Sequence, residues 1–295
     1  MKTSEYNFKR CKLCGEITAE PLYDLTDGII YSCQRCDFHF LNRLDARAEK
    51  GINTPQLNSV SRNYIESRID ENAHLHPQRL EFVQKHINLS NCKALDIGAG
   101  LGQFLLLLQT HEVEVQGIEP SAIRREYAQE KFGINLRGEL VGSDYWQTEF
   151  SRYFDLITLW DVIEHVDFPR ETLQAAIKLL KPGGFLFLDT PSRDVLPYKL
   201  SQKFYRFSSG KISLFLPSFY SSAPFGHKQI FTLTQLSGLF QDLGLEICYK
   251  AKSYRNNPER GSKIILAGKK NIGAQPQSGH DQSHPDSQNL LKHLL

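Results

Sequence analysis

The chain contains 295 residues, of which 40% are hydrophobic and 23% charged, and its 35 basic and 33 acidic side chains give a formal net charge of +2. This balance is typical of globular proteins and argues against the strongly basic surface of a nucleic-acid-binding protein. No segment approaches the roughly 18 to 20 apolar residues that cross a bilayer, and the N-terminus lacks the apolar core of a signal peptide. We therefore expect a cytoplasmic protein with no membrane span and no nucleic-acid partner, built from one large α/β domain and one small module.

Four cysteines near the N-terminus follow the spacing C-x2-C-x18-C-x2-C. Two such pairs can present four thiolates to one tetrahedral zinc ion, and the metal then supplies folding free energy that a short segment cannot obtain from a hydrophobic core. Residues 1–45 are therefore predicted to form a zinc-ribbon-like module with a structural zinc ion. The alternative is four unrelated thiols or two redox pairs. The predicted ligands are Cys11, Cys14, Cys33 and Cys36.

The next residues, 46–89, are expected to form a polar linker followed by helices that cap the next domain. From residue 90 to residue 270, strand-like and helix-like apolar patterns alternate, which predicts a parallel sheet covered by helices on both faces. The stretch "INLRGEL", residues 134–140, is the weakest of the predicted strands. The last two strand-like runs are short enough to pair as an antiparallel unit. The polar tail, residues 271–295, is predicted to be disordered.

One segment inside this predicted domain, residues 192–230, lacks the alternating pattern and is rich in aromatic and basic side chains. A long connection without regular structure is more often a lid or a binding segment than an idle loop. We therefore expect residues 192–230 to form a lid or a substrate-binding insertion. Packing of the aromatic side chains onto the domain is the simpler alternative.

A glycine-rich turn follows the first strand of the predicted sheet in the stretch "ALDIGAGLGQFLLLL". Its pattern, D-x-G-x-G-x-G, differs from the dinucleotide fingerprint because Gln103 occupies the position of the third glycine. Asp96 places a negative charge where a pyrophosphate would otherwise bind, so the turn suits a cationic ligand better. Glu119 ends the next strand about 20 residues after Gly98, where a carboxylate can bind both hydroxyls of a ribose.

Four stretches in this order resemble class I S-adenosylmethionine-dependent methyltransferases over about residues 75–270: the turn at residues 96–102, Glu119, "FDLITLWDVIEHV" and "LLKPGGFLFLDTP". The resemblance implies an α/β fold with a doubly wound, seven-stranded, mostly parallel sheet of order 3-2-1-4-5-7-6 and an antiparallel seventh strand. It also implies S-adenosylmethionine as the cofactor, with Asp96 near its ammonium group and Glu119 on its ribose. The implied cofactor-binding residues are Asp96, Gly98, Gly100, Gly102, Glu119, Pro120, Glu139, Leu140, Trp160 and Asp161.

Methyl transfer needs a general base only if the acceptor must lose a proton at or before attack. The candidate catalytic residues are His165 in "IEHV" and His227 in "FGHKQIF", although either could instead make a structural hydrogen bond. The sequence therefore predicts a methyltransferase that acts on an O or C nucleophile of a small molecule or of a carbohydrate or lipid intermediate. The alternatives are an NAD-linked oxidoreductase, disfavoured by Gln103, and a non-catalytic binding protein on the same fold. No oligomeric state is predicted.

Overall fold

The computed structural model describes residues 6–45, 57–67, 73–223, 225–254 and 260–272. Most of the predicted linker and of the predicted disordered tail lies outside these residues. None of the helices within the described ranges is both long enough and apolar enough to span a membrane.

The described part of the chain forms strands and helices in the following order. The strands are β1 (Ala19–Leu25), β2 (Gly28–Cys33), β3 (His39–Leu41), β4 (Lys93–Ile97), β5 (Glu114–Ile118), β6 (Phe154–Trp160), β7 (Leu180–Pro191), β8 (Gln229–Ile230), β9 (Leu245–Ala251) and β10 (Lys263–Lys270). The α-helices are α1 (Ser59–Glu66), α2 (His76–Gln84), α3 (Gln103–Gln109), α4 (Ala122–Phe132), α5 (Asp144–Glu149), α6 (Pro169–Leu179), α7 (Leu196–Phe207) and α8 (Leu233–Asp242).

The larger sheet has the strand order β5-β4-β6-β7-β10-β9. Strands β5, β4, β6 and β7 are parallel, and β10 runs antiparallel to both β7 and β9. Helices α2 and α3 pack on one face of the sheet, and α6 and α8 pack on the other. This arrangement buries the central strands on both faces, as expected for a parallel sheet covered by helices. The predicted fold class and the predicted antiparallel last strand are therefore confirmed.

The sheet departs from the prediction at residues 134–140, which were expected to add a seventh strand. Within the described residues this segment makes only one isolated parallel bridge, between Ile118 and Arg137. The Arg137 N–H donates to the Gly117 carbonyl, and its own carbonyl accepts from the Glu119 N–H, both at 2.8 Å. Ladder pairing ends there because the segment buries few apolar side chains and contains Gly138, which has little preference for a strand.

The smaller sheet is antiparallel and has the order β1-β2-β3-β8. Its first three strands belong to the predicted ribbon, whereas β8 belongs to the predicted insertion at residues 192–230. His39 pairs with Ile230, and Phe40 pairs with Gln229. The two segments therefore share one sheet, a connection that the sequence patterns did not predict.

The predicted insertion divides into a packed part and an exposed part. The hydroxyls of Tyr198 and Tyr220 are buried and lie 2.6 Å apart, and the Tyr198 hydroxyl lies 2.8 Å from Nδ1 of His39. By contrast, Phe207 at the end of α7 is 94% exposed. The buried tyrosines pack the insertion against the smaller sheet. For this part of the segment, the structure agrees with the alternative that its aromatic side chains serve packing.

Candidate functional site

The glycine turn, residues 96–102, joins β4 to α3 at the carboxyl edge of the larger sheet. Gly98 has a φ of +74°, and a Cβ at this position would lie 2.4 Å from Cγ2 of Val162. Val162 follows β6, so the loop after β6 passes directly over the turn. Gly100 has a φ of +58°, and a Cβ there would meet no atom within 4 Å. The turn is therefore tightly packed at Gly98 and open at Gly100, and Gly102 begins helix α3 as its N-cap.

Two buried carboxylates flank this turn. Asp96 accepts a hydrogen bond of 2.6 Å from Oγ1 of Thr158, and burial raises the pKa of its carboxyl to about 7. Glu119 accepts hydrogen bonds of 2.9 Å from the backbone N–H groups of Gly100 and Ser121. Burial also raises the pKa of Glu119. Because burying these charges is unfavourable, a cationic ligand in the open space at Gly100 would be stabilised by them.

The remaining predicted cofactor residues lie around these carboxylates with different degrees of exposure. Pro120 is half-buried, and its carbonyl accepts from Nη1 of Arg125 at 2.8 Å. Leu140 is half-buried, whereas Glu139 is exposed, and the Glu139 carbonyl accepts from Nε1 of Trp146 at 3.0 Å. The structure thus places Pro120 beside Glu119 and leaves the Glu139 side chain at the surface.

A buried network of charges behind the site was missed by the sequence interpretation. Arg79 on α2 donates through Nε and Nη2 to the two carboxylate oxygens of Asp189, each at 2.9 Å, and through Nη2 to Asp161 at 2.7 Å. The Tyr254 hydroxyl donates to Asp189 at 2.8 Å, and Lys263 pairs with Asp161. The signal available in the sequence was the acid in the apolar run "FLFLDTP", because a buried carboxylate requires a cationic partner.

Trp160 and Asp161, which end β6 and follow it, belong to this surrounding shell. The Trp160 ring packs edge-on against Phe104 with centroids 5.4 Å apart, and the Arg79 guanidinium lies 5.2 Å from its ring centroid. Asp161 adopts a left-handed backbone with a φ of +53°, and its N–H donates to Asp189 at 3.0 Å. These contacts fix the start of the loop that continues to Glu164 and His165.

The two candidate catalytic histidines lie together beside Glu164, and we call these three residues the histidine cluster. The rings of His165 and His227 have centroids 4.7 Å apart, and Nε2 of His165 lies 3.8 Å from Oε1 of Glu164. Burial raises the pKa of Glu164 to about 7 and lowers the pKa of both histidines. Burial therefore favours the neutral form of both imidazoles.

Strand β8 holds His227 against the loop that carries His165. The backbone N–H of Lys228 donates to the Glu164 carbonyl at 2.8 Å. Nε2 of Gln229 donates to the carbonyls of Ile163 and Val166 at 2.9 and 2.6 Å. The histidines thus meet because β8 is bonded on one side to the smaller sheet and on the other to this loop.

The four N-terminal cysteines also converge. Their four Sγ atoms all lie within 4.8 Å of one another. The distance between the two sulfur atoms is 3.6 Å both for Cys11 and Cys36 and for Cys14 and Cys33. Four thiolates around a zinc ion with Zn–S bonds of about 2.3 Å would be separated by about 3.8 Å. This geometry fits a tetrathiolate zinc site, and the cluster of Cys11, Cys14, Cys33 and Cys36 is called the cysteine cluster below.

Comparisons with known proteins agree with this architecture. A methyltransferase-domain family matches residues 61–250. A ubiquinone biosynthesis O-methyltransferase from Chromobacterium violaceum is 28% identical over 130 residues, which cover 43% of this chain and 56% of that protein. A protein of the same name from Paraburkholderia phymatum is 30% identical over 128 residues, which cover 42% of this chain and 55% of that protein.

This chain thus spans only a little over half the length of the curated relatives that it matches. The solved structure of a SAM-dependent methyltransferase from Methanosarcina mazei superposes with a TM-score of 0.51 at 15% identity, covering 65% of this chain and 97% of that one. That likeness shows a shared fold. Since the family match extends over more than half of its residues, the chain belongs to the methyltransferase-domain family.

Proposed function

We propose that this protein is an S-adenosylmethionine-dependent O-methyltransferase acting on a small-molecule acceptor. The observation that carries the proposal is the pair of buried carboxylates, Asp96 and Glu119, on either side of an open glycine turn. Membership in the methyltransferase-domain family supports the reaction class, and the names of the curated relatives support oxygen as the atom that is methylated.

The residues around the turn fit the proposed cofactor, which supplies an electrophilic methyl group on a positively charged sulfur. Asp96 would lie near the ammonium group of the methionine moiety, where its buried charge is compensated. Glu119 would bind the ribose hydroxyls, because its carboxylate lies at the turn. The two N–H groups that donate to it hold it in a fixed orientation, and each oxygen keeps a lone pair for a hydroxyl. Both acids lie at the carboxyl edge of a parallel sheet, where ligands of such folds bind.

The histidine cluster lies where an acceptor hydroxyl would approach. Val162 contacts the glycine turn, and Glu164 and His165 follow it within three residues. A hydroxyl must lose its proton at or before attack, and a neutral imidazole can accept that proton. Alignment of the acceptor with the methyl group would supply a larger part of the rate enhancement. A phenol, a sugar or a lipid intermediate with a free hydroxyl would meet these requirements.

We also propose that the cysteine cluster binds one structural zinc ion. The N–H of Leu13 donates to Sγ of Cys11 at 3.4 Å, and Oγ1 of Thr18 lies 3.3 Å from Sγ of Cys33. Such contacts orient thiolates around a metal. The zinc would act on folding, because the cluster lies at the smaller sheet, with Cys33 at the end of β2, and four thiolates leave no open position for a substrate.

Isothermal titration calorimetry tests the cofactor assignment. We expect binding of S-adenosylmethionine and S-adenosylhomocysteine but not of NAD. Glu119→Gln should weaken S-adenosylmethionine binding about tenfold or more, because hydrogen bonds to a charged group are worth about 1.5 to 3 kcal/mol. Glu112→Gln, an exposed acid at the opposite edge of the sheet, serves as the control and should bind normally. Binding of NAD in place of both sulfur nucleosides would instead support the oxidoreductase alternative.

A further inference from the structure

We propose that Glu164, His165 and His227 form a second metal site, which takes a divalent transition-metal ion on the acceptor side of the cofactor. One ligand atom from each of the three residues lies within 4.8 Å of the others. The set combines one carboxylate with two imidazoles, ligands that suit manganese, iron, cobalt or zinc. It differs from the cysteine cluster in chemistry and in position, since it lies beside the larger sheet.

Two buried atoms of this cluster lack a hydrogen-bond partner within the described residues. They are Oε1 of Glu164 and Nδ1 of His165. Glu164 is fully buried, and only its second oxygen, Oε2, accepts a hydrogen bond, at 2.9 Å from Oγ1 of Thr190. An unpartnered carboxylate oxygen in the interior is costly, and a cation held between this oxygen and the two rings would remove that cost.

The nearby cations do not fill this role, because each already pairs with another carboxylate. Nζ of Lys228 lies 2.9 Å from Oδ1 of Asp45. Lys263 pairs with Asp161. The Glu164 carboxylate therefore has no lysine partner among the described residues, although the backbone N–H of Lys228 donates to the Glu164 carbonyl.

Two of the three residues, Glu164 and His227, are also held in place by neighbouring groups, as metal ligands are. The Thr190 hydroxyl fixes the orientation of the Glu164 carboxylate, and contacts of this kind strengthen metal binding about 10- to 100-fold. The backbone that leads into β8 fixes His227, because the N–H of the next residue, Lys228, donates to the Glu164 carbonyl. The ligands therefore come from two segments that are already bonded to each other, so little rearrangement is needed to bind an ion.

Three protein ligands leave at least one coordination position open, as in catalytic metal sites. We infer that an acceptor oxygen occupies this position, an inference that rests on the proposed function. An oxygen bound to a divalent cation loses its proton more readily, so the site would activate a hydroxyl. With both imidazoles bound to the ion, that proton would pass to solvent water instead of to a histidine, and the oxygen would then displace the methyl group from the sulfur. This narrows the acceptor to molecules whose hydroxyl can coordinate a metal, such as a phenol or a vicinal diol.

Binding of Mn²⁺ to the full chain tests the site directly, because Mn²⁺ favours oxygen and nitrogen ligands over thiolates. Electron paramagnetic resonance of free Mn²⁺ during a titration would measure the number of sites and their affinity. We expect one site in the wild-type protein. Glu164→Gln and His227→Asn should each weaken it at least about tenfold. His111→Asn, at the opposite edge of the sheet, should bind Mn²⁺ as the wild type does, and thermal unfolding would verify that each variant is folded.

Calorimetry with S-adenosylmethionine on the same samples separates this proposal from the proposed function. If the folded wild type binds S-adenosylmethionine but not Mn²⁺, Co²⁺ or added Zn²⁺ at the histidine cluster, the metal site is refuted and the methyltransferase proposal stands. Mn²⁺ binding that is equally strong in Glu164→Gln and His227→Asn would also refute it. If the wild type bound Mn²⁺ but not S-adenosylmethionine, and both variants lost Mn²⁺ binding, the metal site would be supported and the proposed function refuted.

Discussion

The cofactor side and the acceptor side of the candidate site are held together in different ways. The cofactor side, Asp96, Gly100 and Glu119, lies at the ends of adjacent parallel strands, whose positions are fixed by the backbone ladder of the larger sheet. The acceptor side, the histidine cluster, joins the loop after β6 to β8, which is a strand of the smaller sheet. The strand pairing that holds the acceptor side therefore includes the N-terminal ribbon, whereas the strand pairing that holds the cofactor side does not.

We therefore propose that the cysteine cluster helps to position His227, a candidate catalytic residue, without contacting the acceptor. The N–H of Leu41 in β3 donates to the Lys228 carbonyl at 2.7 Å, directly after His227. Nε2 of Gln235 donates to the Cys36 carbonyl at 2.8 Å. A metal that orders the ribbon would therefore also order the strand that carries His227 to its place.

The largest expected effect is that of removing one cysteine ligand. Cys33→Ser should reduce the bound zinc from one ion per chain to near zero and lower the free energy of unfolding by about 5 kcal/mol or more, because metal binding contributes folding free energy to such segments. Methyl transfer should be lost, while S-adenosylmethionine binding by any folded fraction should be retained. Metal analysis, urea denaturation and calorimetry would measure these effects.

The matched control for that variant is Cys248→Ser, because Cys248 is exposed on β9 and lies outside the cysteine cluster. It should keep its zinc ion, and its free energy of unfolding should stay within about 0.5 kcal/mol of the wild-type value. If Cys33→Ser lost zinc but kept wild-type methyl transfer, the dependence of the acceptor side on the ribbon would be disproved.

Arg79→Met should damage the cofactor side without affecting the ribbon. Its guanidinium lies between two carboxylates, Asp189 and Asp161, and Asp189 is fully buried. Removing one partner of a buried ion pair leaves an uncompensated charge and costs about 3 to 5 kcal/mol. Urea denaturation would measure this loss, and the zinc content should stay unchanged. Arg35→Met, which breaks an exposed pair with Glu16, should cost less than about 1 kcal/mol.

Residues with local signals were well predicted, and residues with distant partners were not. The turn around Gly98 could be predicted because the strand, the glycines and the helix follow one another within a few residues. Arg79 was missed because its partners, Asp161 directly after β6 and Asp189 on β7, are far away in sequence. Strand β8 has two residues, too few for any periodicity, and it exists because β3 offers an edge on which to pair.

The wrong prediction of a strand at residues 134–140 has a related cause. Its apolar residues Ile134 and Leu136 alternate as in a strand, but they pack into the space beside Gly102 and Gly117. One bridge through Arg137 is enough to hold them there. Packing of two side chains thus decided the local structure, and a short alternating pattern could not distinguish this arrangement from a full strand.

Substitutions at two glycines would sharpen the description of the cofactor side. Gly98→Ala should lower the free energy of unfolding by about 2 to 4 kcal/mol, because the left-handed backbone and the contact with Val162 are both unfavourable for a Cβ. Gly100→Ala has a similar φ but open surroundings, so it should cost about 1 kcal/mol. Its main effect should be weaker S-adenosylmethionine binding, measured by calorimetry. Equal stability losses in the two variants would show that Val162 does not constrain the turn.

The smallest expected effect is the pH dependence that Asp96 imposes on stability. Burial raises the pKa of this carboxyl from 3.8 to about 7, so the folded protein binds the proton more tightly than the unfolded chain does. The resulting stabilisation is fully present below about pH 4 and is lost as the pH rises through about 7. Between pH 6 and pH 8, the equilibrium constant for unfolding should therefore rise about tenfold.

In Asp96→Asn the side chain at this position cannot titrate. The difference in urea midpoints between the wild type and this variant therefore gives the contribution of Asp96 alone. It excludes that of Glu164, whose pKa is also raised to about 7. Saturating S-adenosylhomocysteine should reduce the pH dependence, because its ammonium group favours the ionised carboxylate. Parallel pH profiles for the wild type and Asp96→Asn, with and without this ligand, would mean that Asp96 is already ionised across this range. In that case the buried charge would be compensated by the protein itself, and the cationic ligand would have to be recognised mainly through Glu119.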